Sequence, residues 1–216
     1  MLNWNEIDHV FLDMDGTLLD LHFDNFFWLE YLPKRYADIH GKPADAAKTM
    51  LHGLFAEKRG TLDWYCLAYW QTELAVDILS LKQEVAQKIQ FRDGAEAFIQ
   101  RLQCMGKHVA LVSNAHPWSI QLKTDRVLAP ALFDAIHSSH DFGYPKERTE
   151  FWEAFCSAYP FDRSRALFVD DNEQVLESAR AFGIEHLWSI SQPDSQKGPQ
   201  PLGSFPQISE FGALFE

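Results

Sequence analysis

Residues 10–20 read VFLDMDGTLLD, and this stretch constrains the fold more than any other. Val10, Phe11 and Leu12 form an apolar run without polar alternation, which suits a strand buried on both faces of a parallel sheet. The run ends abruptly in Asp13, Asp15, Gly16 and Thr17. Side chains two apart on a strand share a side, so Asp13 and Asp15 can converge just beyond its end, while Gly16 lets the backbone turn and offer amide donors. In open α/β sheets that edge is where ligands bind. A plain surface turn is also rich in Asp and Gly, but it leaves two acids directly after a fully apolar run unexplained.

The same pattern returns from about residue 92. Strands are expected at 107–112, ending in Ser113 and Asn114; at 133–138, running into HDFGYPKE; at 166–169, ending in Asp170, Asp171 and Asn172; and at 184–189. Helices are expected at 95–105, stopped by Gly106, from Trp118 onward, at 149–159 and at 173–182. Five short strands separated by helices predict an α/β fold built on a doubly wound parallel sheet. Between the first strand and the rest, 24–40, 44–58 and 62–80 carry Leu, Ala, Phe, Trp and Tyr at three-to-four spacing, with Thr61 as a helix N-cap. The chain therefore divides into a core, 1–20 and 93–216, and an inserted all-helical cap, 21–92. Trp28, Tyr31, Trp64, Tyr65 and Trp70 are expected mainly to pack the cap helices together. The tail 192–206, rich in Pro, Gly, Ser and Gln, reads as an irregular surface segment, and 208–215 as a short docked helix.

Charge excludes some partners. A net charge of -12 opposes nucleic acid or an anionic membrane as the main partner, because both are polyanions. Cys66, Cys104 and Cys156 lie far apart without a CxxC pair, and the first ten residues, MLNWNEIDHV, resemble no export signal. A reduced, cytoplasmic protein is expected. His116, before Pro117, reads as a capping or solvated residue, and the other histidines show no zinc-binding spacing.

Asp13 and Asp15, Ser113 and Asn114, Lys146, and Asp170 and Asp171 thus fall at strand ends or neighbouring loops that can meet at one sheet edge. Four crowded carboxylates repel, which implies a hard divalent cation with oxygen ligands, and Mg²⁺ suits one or two carboxylates, waters and a phosphate. Lys146 would add a second positive charge and Ser113 a hydrogen bond to a phosphoryl oxygen. Asn114 could orient phosphate through its backbone N–H or cap the turn. Such a set stabilises a phosphoryl group in transfer.

DMDGT, a serine closing the second strand, a lysine after the third and DD after the fourth resemble, in order, the four motifs of the haloacid dehalogenase (HAD) superfamily. The resemblance implies that Asp13 is a nucleophile forming an aspartyl-phosphate, and that Asp15 protonates the leaving oxygen and then activates water. It further implies Mg²⁺ bound by the Asp13 carboxylate, the Asp15 main-chain carbonyl and Asp171, with Asp170 close by or through water. Gly16, Asn114 and Lys146 would bind the phosphoryl group, and the insert becomes a C1-type cap. The dehalogenases lack an acid two residues after the nucleophile, so Asp15 aligns this chain with the phosphatases. One departure is Val175, where some relatives carry a further Asp.

The runs DMDGTLLDLHFDNFFW, LDWYCLAYW, SNAHP and FGYPKE look like the bacterial GMP/IMP nucleotidases of that superfamily. This implies a small phosphorylated metabolite as substrate, a purine nucleoside monophosphate, with a sugar phosphatase or phosphomutase as the alternative on the same scaffold. Trp28, Trp64, Tyr65 and Trp70 could stack on the base, and Asn25, Arg35, Lys58, Arg59 and Gln71 are the polar cap candidates for reading it.

Overall fold

The computed structural model describes residues 2–215. Its centre is β1 (His9–Leu12), flanked by β2 (His108–Ser113) on one side and β4 (Ala166–Asp170) on the other. With β3 (Ala135–Ser138), β5 (His186–Ile190) and β6 (Gln207–Ile208) the sheet has six strands, all parallel, in the order β3-β2-β1-β4-β5-β6. The chain moves outward from β1 in one direction and then returns to its other side, so the loops after β1 and β4 part there and leave a crevice at the carboxyl edge.

Period-two alternation explains the two layers. Val10, Leu12, Val109, Leu111, Leu167 and Val169 point to one core, with Phe98, Ile99 and Leu102 of α7 (Ala95–Cys104). Phe11, Ala110, Val112 and Phe168 point to the other, against α9 (Thr149–Ala158) and α10 (Glu173–Phe182). Both faces are covered, which is why these strands carry no polar alternation.

The sixth strand departs from the expectation. It comes from the tail, where a two-residue strand flanked by Pro and Ser leaves no periodicity to read. Nor is the preceding segment merely superficial. Pro193 O accepts from Leu21 N at 2.9 Å, Ser195 N donates to Asp20 Oδ1 at 3.1 Å, and buried Asp194 accepts from Asn25 Nδ2 at 2.7 Å. Past β6 the chain ends in a 3-10 turn, Phe211–Phe215, whose Phe211 stacks on Phe98.

The insert is helical throughout, but with more breaks than expected. α1 (His22–Phe26) runs through a π turn (Phe27–Tyr31) into α2 (Leu32–His40) as one continuous helix. Pro33 lacks the N–H that an α-helix would use there, and the wide turn just before it accommodates that loss. After α3 (Ala44–Lys58), the expected single helix 62–80 is three: α4 (Leu62–Tyr65), α5 (Leu67–Leu74) and α6 (Ile78–Glu84). Cys66 is extended and caps α5, its Sγ accepting from Tyr69 N, and Ala75 takes a left-handed φ of 50°. Thr61 holds the N-cap position of α4, yet its hydroxyl donates to Lys58 O instead of capping. Where insert and core join, the outgoing and returning chains pair: Leu19 bridges Phe91, Asp20 N donates to Gln90 O at 3.0 Å, and Arg92 N donates to Leu18 O at 2.9 Å. Among the described residues no helix is long and apolar enough to cross a membrane.

Candidate active site

Asp13 continues the ladder past β1, its N–H donating to Val169 O at 3.0 Å, and so its side chain emerges beside the end of β4. The Lys146 ammonium, 1% exposed, reaches this point from the loop after β3. It donates to Asp13 Oδ1 at 2.5 Å, Asp170 Oδ2 at 2.7 Å and Val112 O at 2.9 Å. Those bonds use all three of its donors. The lysine is itself held by Asn114, whose Oδ1 accepts from Lys146 N at 2.8 Å and whose Nδ2 donates to Glu147 Oε2 at 2.9 Å. Glu147 Oε1 in turn accepts from Tyr65 of α4 at 2.5 Å, linking insert to lysine loop. The Asn114 side chain, left open in the sequence, is thus the brace of the Lys146 loop. Ser113 closes β2, buried, with Oγ accepting from Ala115 N at 3.1 Å.

Asp13, Asp170 and Asp171 each bring a carboxylate oxygen within 4.8 Å of the others. Burial pushes Asp13 up to about 6 against the pull of Lys146, and Asp15 up to about 7 against the pull of Lys123. Asp171 is pushed well above the usual carboxylate range by burial and by the charges of Asp170, Asp13 and Asp15. No cation pairs with it among the described residues. Around the cleft floor five carboxyl groups (Asp13, Asp15, Asp24, Asp170, Asp171) gather with three lysine ammonium groups (Lys82, Lys123, Lys146). The all-oxygen donor set of Asp13, Asp170 and Asp171 suits a hard divalent cation such as Mg²⁺.

Gly16 makes the expected turn, but its N–H is not free. Its N–H, anticipated as a phosphate donor, donates to Leu19 O at 2.8 Å, and its φ of +89° closes the turn that carries Asp15.

The sequence did not reveal a second buried network. Lys123 of α8 (Pro117–Thr124) donates to Asp15 Oδ1 at 2.5 Å and to Asp24 Oδ2 at 2.7 Å, and Lys82 of α6 donates to Asp24 Oδ1 at 2.7 Å. A signal was there. Lys82 sits within the apolar stripe Ile78, Leu81, Val85, Ala86, and Lys123 follows Ile120 by one turn, so each is a charge on a buried face.

Above these residues opens a cleft of about 530 Å³, roofed by Trp28, Leu29, Trp64 and Leu67 of the insert. Of the polar cap candidates, Asn25 and Arg59 line it. Arg35 instead pairs with Glu84 at 3.4 Å, Lys58 pairs with Asp63 at 3.1 Å, and Gln71 lies outside the lining. Trp70 touches the cleft but is 1% exposed, its Nε1 donating to Trp64 O at 2.9 Å, so it is a packing residue. The tail contributes Gln200 to the lining. His116 Nδ1 accepts from Trp118 N at 3.2 Å and caps α8.

Residues 7–183 match the haloacid dehalogenase-like hydrolase family. GMP/IMP nucleotidase YrfG of Escherichia coli (strain K12) is 35% identical over 211 residues, covering 98% of this chain and 95% of that protein. Among solved structures, the HAD phosphatase from Thermococcus onnurineus superposes with a TM-score of 0.80 at 16% identity, covering 96% of each chain. The L-2-haloacid dehalogenase from Xanthobacter autotrophicus, with chloropropionic acid covalently bound, superposes with a TM-score of 0.59 at 16% identity, covering 96% of each chain.

Proposed function

Because the chain belongs to the haloacid dehalogenase-like hydrolases, we propose that Asp13 is the nucleophile of a phosphomonoester hydrolase whose substrates are GMP and IMP. The geometry of Asp13 supports this assignment. Its carboxylate is held 2.5 Å from the Lys146 ammonium beside Asp171, which has no ion-pair partner among the described residues, at the floor of an aromatic-roofed cleft. The substrate class is supported by the likeness to the E. coli nucleotidase over nearly the whole of both chains. In this reading residues 21–92 are the cap, the remainder is the catalytic core, and the enzyme works on the nucleotide pool of the cytoplasm.

In the first step an Asp13 oxygen forms a bond to phosphorus while the bond from phosphorus to the 5′ oxygen breaks, and Asp15 gives its proton to the departing oxygen. In the second, Asp15 takes a proton from water, whose oxygen attacks the aspartyl-phosphate, releasing inorganic phosphate and restoring Asp13. Lys146 fixes the nucleophile, neutralises Asp170 and exchanges one of its three bonds for a phosphoryl oxygen. Ser113 donates to a second such oxygen. The Asp13 carboxylate, the Asp15 main-chain carbonyl and Asp171 would hold Mg²⁺, with Asp170 adjacent or through water. When bound, the ion supplies neutralisation of the charge on the phosphoryl oxygens.

A 6-oxo purine presents an acceptor at C6 and a donor at N1, and AMP reverses both. Asn25 Nδ2 is committed to Asp194, which leaves Oδ1 as an acceptor for the N1 proton. Arg59, exposed at the cleft and without an ion-pair partner among the described residues, supplies the donor for O6. A polar site left unpaired by the wrong base rejects it strongly.

Phosphate release from a panel of nucleoside and sugar monophosphates with Mg²⁺ tests this. GMP and IMP should exceed AMP, pyrimidine nucleotides and hexose phosphates in kcat/KM by at least about tenfold. A sugar phosphate or AMP hydrolysed best would overturn the substrate while leaving the reaction. Turnover by Asp13→Asn within about tenfold of wild type would overturn the covalent route.

A further inference from the structure

We infer that Lys123 is a positioning residue for the Asp15 carboxylate, and that the cap sets it in place through Asp24; the inference rests on the assignment of Asp15 as the proton-transfer group.

Four side chains form one line of alternating charge, Lys82, Asp24, Lys123 and Asp15, with successive contacts of 2.7, 2.7 and 2.5 Å. Both lysines are 1% exposed. Each ammonium in such surroundings would cost several kcal/mol if unpaired, and a core that needed only cohesion is built as well or better from apolar side chains. The line also has direction. Lys82 and Asp24 belong to α6 and α1 of the cap, Lys123 to α8 of the core, and the line ends on the carboxylate placed at the chemistry.

Pinning cap to core needs only the Lys123–Asp24 pair, yet Lys123 makes its shorter contact with Asp15. Asp15, Asp24 and Lys82 line the cleft and Lys123 does not. Lys123 therefore meets the cleft only through the two carboxylates it holds, and of these Asp15 is the one assigned to the chemistry. Asp15 follows β1 on the turn that closes at Gly16, and the hydrogen bond its side chain makes among the described residues is the one to Lys123. With Oδ1 on Lys123, Oδ2 has no protein partner among the described residues and is the oxygen available to the leaving group. Asp24 occupies a second donor of Lys123, and the Phe23 ring lies 5.5 Å away on another side. When the cap is seated, the ammonium has one position, and so does the carboxylate it holds.

The leaving group separates this role from a structural one. Alkoxide departure needs the proton from Asp15, whereas p-nitrophenolate departs without it. In single-turnover measurements with Mg²⁺, Lys123→Met should slow guanosine release from GMP by about 10²–10³, the scale of losing a general acid. Nitrophenolate release from p-nitrophenyl phosphate should change by less than about threefold, with KM for both substrates similarly unmoved. In an Asp15→Asn background Lys123→Met should add less than about threefold, because the two act as a unit. Equal losses on both leaving groups, no loss on either, or losses that multiply with Asp15→Asn would overturn the inference. If Lys123→Met does not fold, Lys123→Arg carries the same comparison. It keeps the charge but displaces the carboxylate, so it should lose at least about tenfold on guanosine release alone, and wild-type rates there would overturn the positioning role. Wild-type guanosine release by Asp15→Asn itself would instead overturn the assignment of Asp15.

Discussion

Gly16 lies directly against the carboxylate of Asp171: a methyl group on its α-carbon would stand 2.5 Å from Oδ2 and 2.6 Å from Cγ of that aspartate. The glycine is needed twice, for its φ of +89° and for this approach. Gly16→Ala should therefore cost about 1–2 kcal/mol of stability through strain and also displace the Asp171 carboxylate. The expected result is an Mg²⁺ requirement raised by at least about tenfold in phosphate release, together with a lower Tm. A lower Tm with an unchanged Mg²⁺ requirement would remove Asp171 from the cation site.

Lys146 is the ion-pair partner of two buried carboxylates at once, so its loss leaves both Asp13 and Asp170 without one among the described residues. Lys146→Ala should lower kcat by about 10²–10³, the scale of one electrostatic stabiliser, and destabilise the fold by about 3–5 kcal/mol. Steady-state kinetics and thermal melting read the two effects separately. An effect confined to KM would restrict the lysine to binding.

The raised carboxylates predict how pH and metal act together. Asp13 at about 6, Asp15 at about 7 and Asp171 well above its usual range all hold protons more tightly folded than unfolded. The contribution of Asp13 and Asp15 to stability is thus complete below about pH 4 and lost as pH rises through about 6–7, and that of Asp171 changes in the same direction. In EDTA, Tm should fall between about pH 5 and pH 8, and Mg²⁺ should raise Tm more at the higher pH, where it replaces protons. Ca²⁺ should also raise Tm but support little turnover, since its longer, looser ligand shell misplaces the nucleophile. An Mg²⁺ effect on Tm independent of pH would contradict the site.

Base selection predicts that Arg59→Met lowers kcat/KM for GMP and IMP by about 10- to 100-fold, the worth of one good polar contact to a base, while AMP is nearly unaffected. The ratio of GMP to AMP turnover is the measurement. Equal losses on all three would give Arg59 a role in closing the cleft instead.

The sheet edge was legible because buried parallel strands read as unbroken apolar runs, so the polar residue ending each run stands out, as Asp13, Ser113 and Asp170 do. Lys146 was legible only through its order relative to those ends. The network behind Asp15 was not, because Lys82, Lys123 and Asp24 lie on short helices, where a charge usually faces water, and burial came from tertiary packing of insert against core. Helix breaks at Cys66 and Ala75 escaped for a related reason: neither residue is a customary breaker, and the conformations they adopt answer to neighbouring helices. β6 escaped because two residues carry no period.

The join between cap and core bears on how the insert is held over the cleft. Leu18, Leu19 and Asp20 are bonded to Gln90, Phe91 and Arg92, so the outgoing and returning chains are one short ribbon and not two separate tethers. Paired chains resist twisting more than two single tethers do, so the ribbon sets the orientation of the insert above the carboxylates. Pro193, Asp194 and Ser195 grip the outgoing limb of that ribbon at Leu21, Asn25 and Asp20. The tail, remote from Asp13 in chain order, is thus part of what holds the insert at its junction with the sheet, and a chain shortened before Pro193 would lose all three of these contacts.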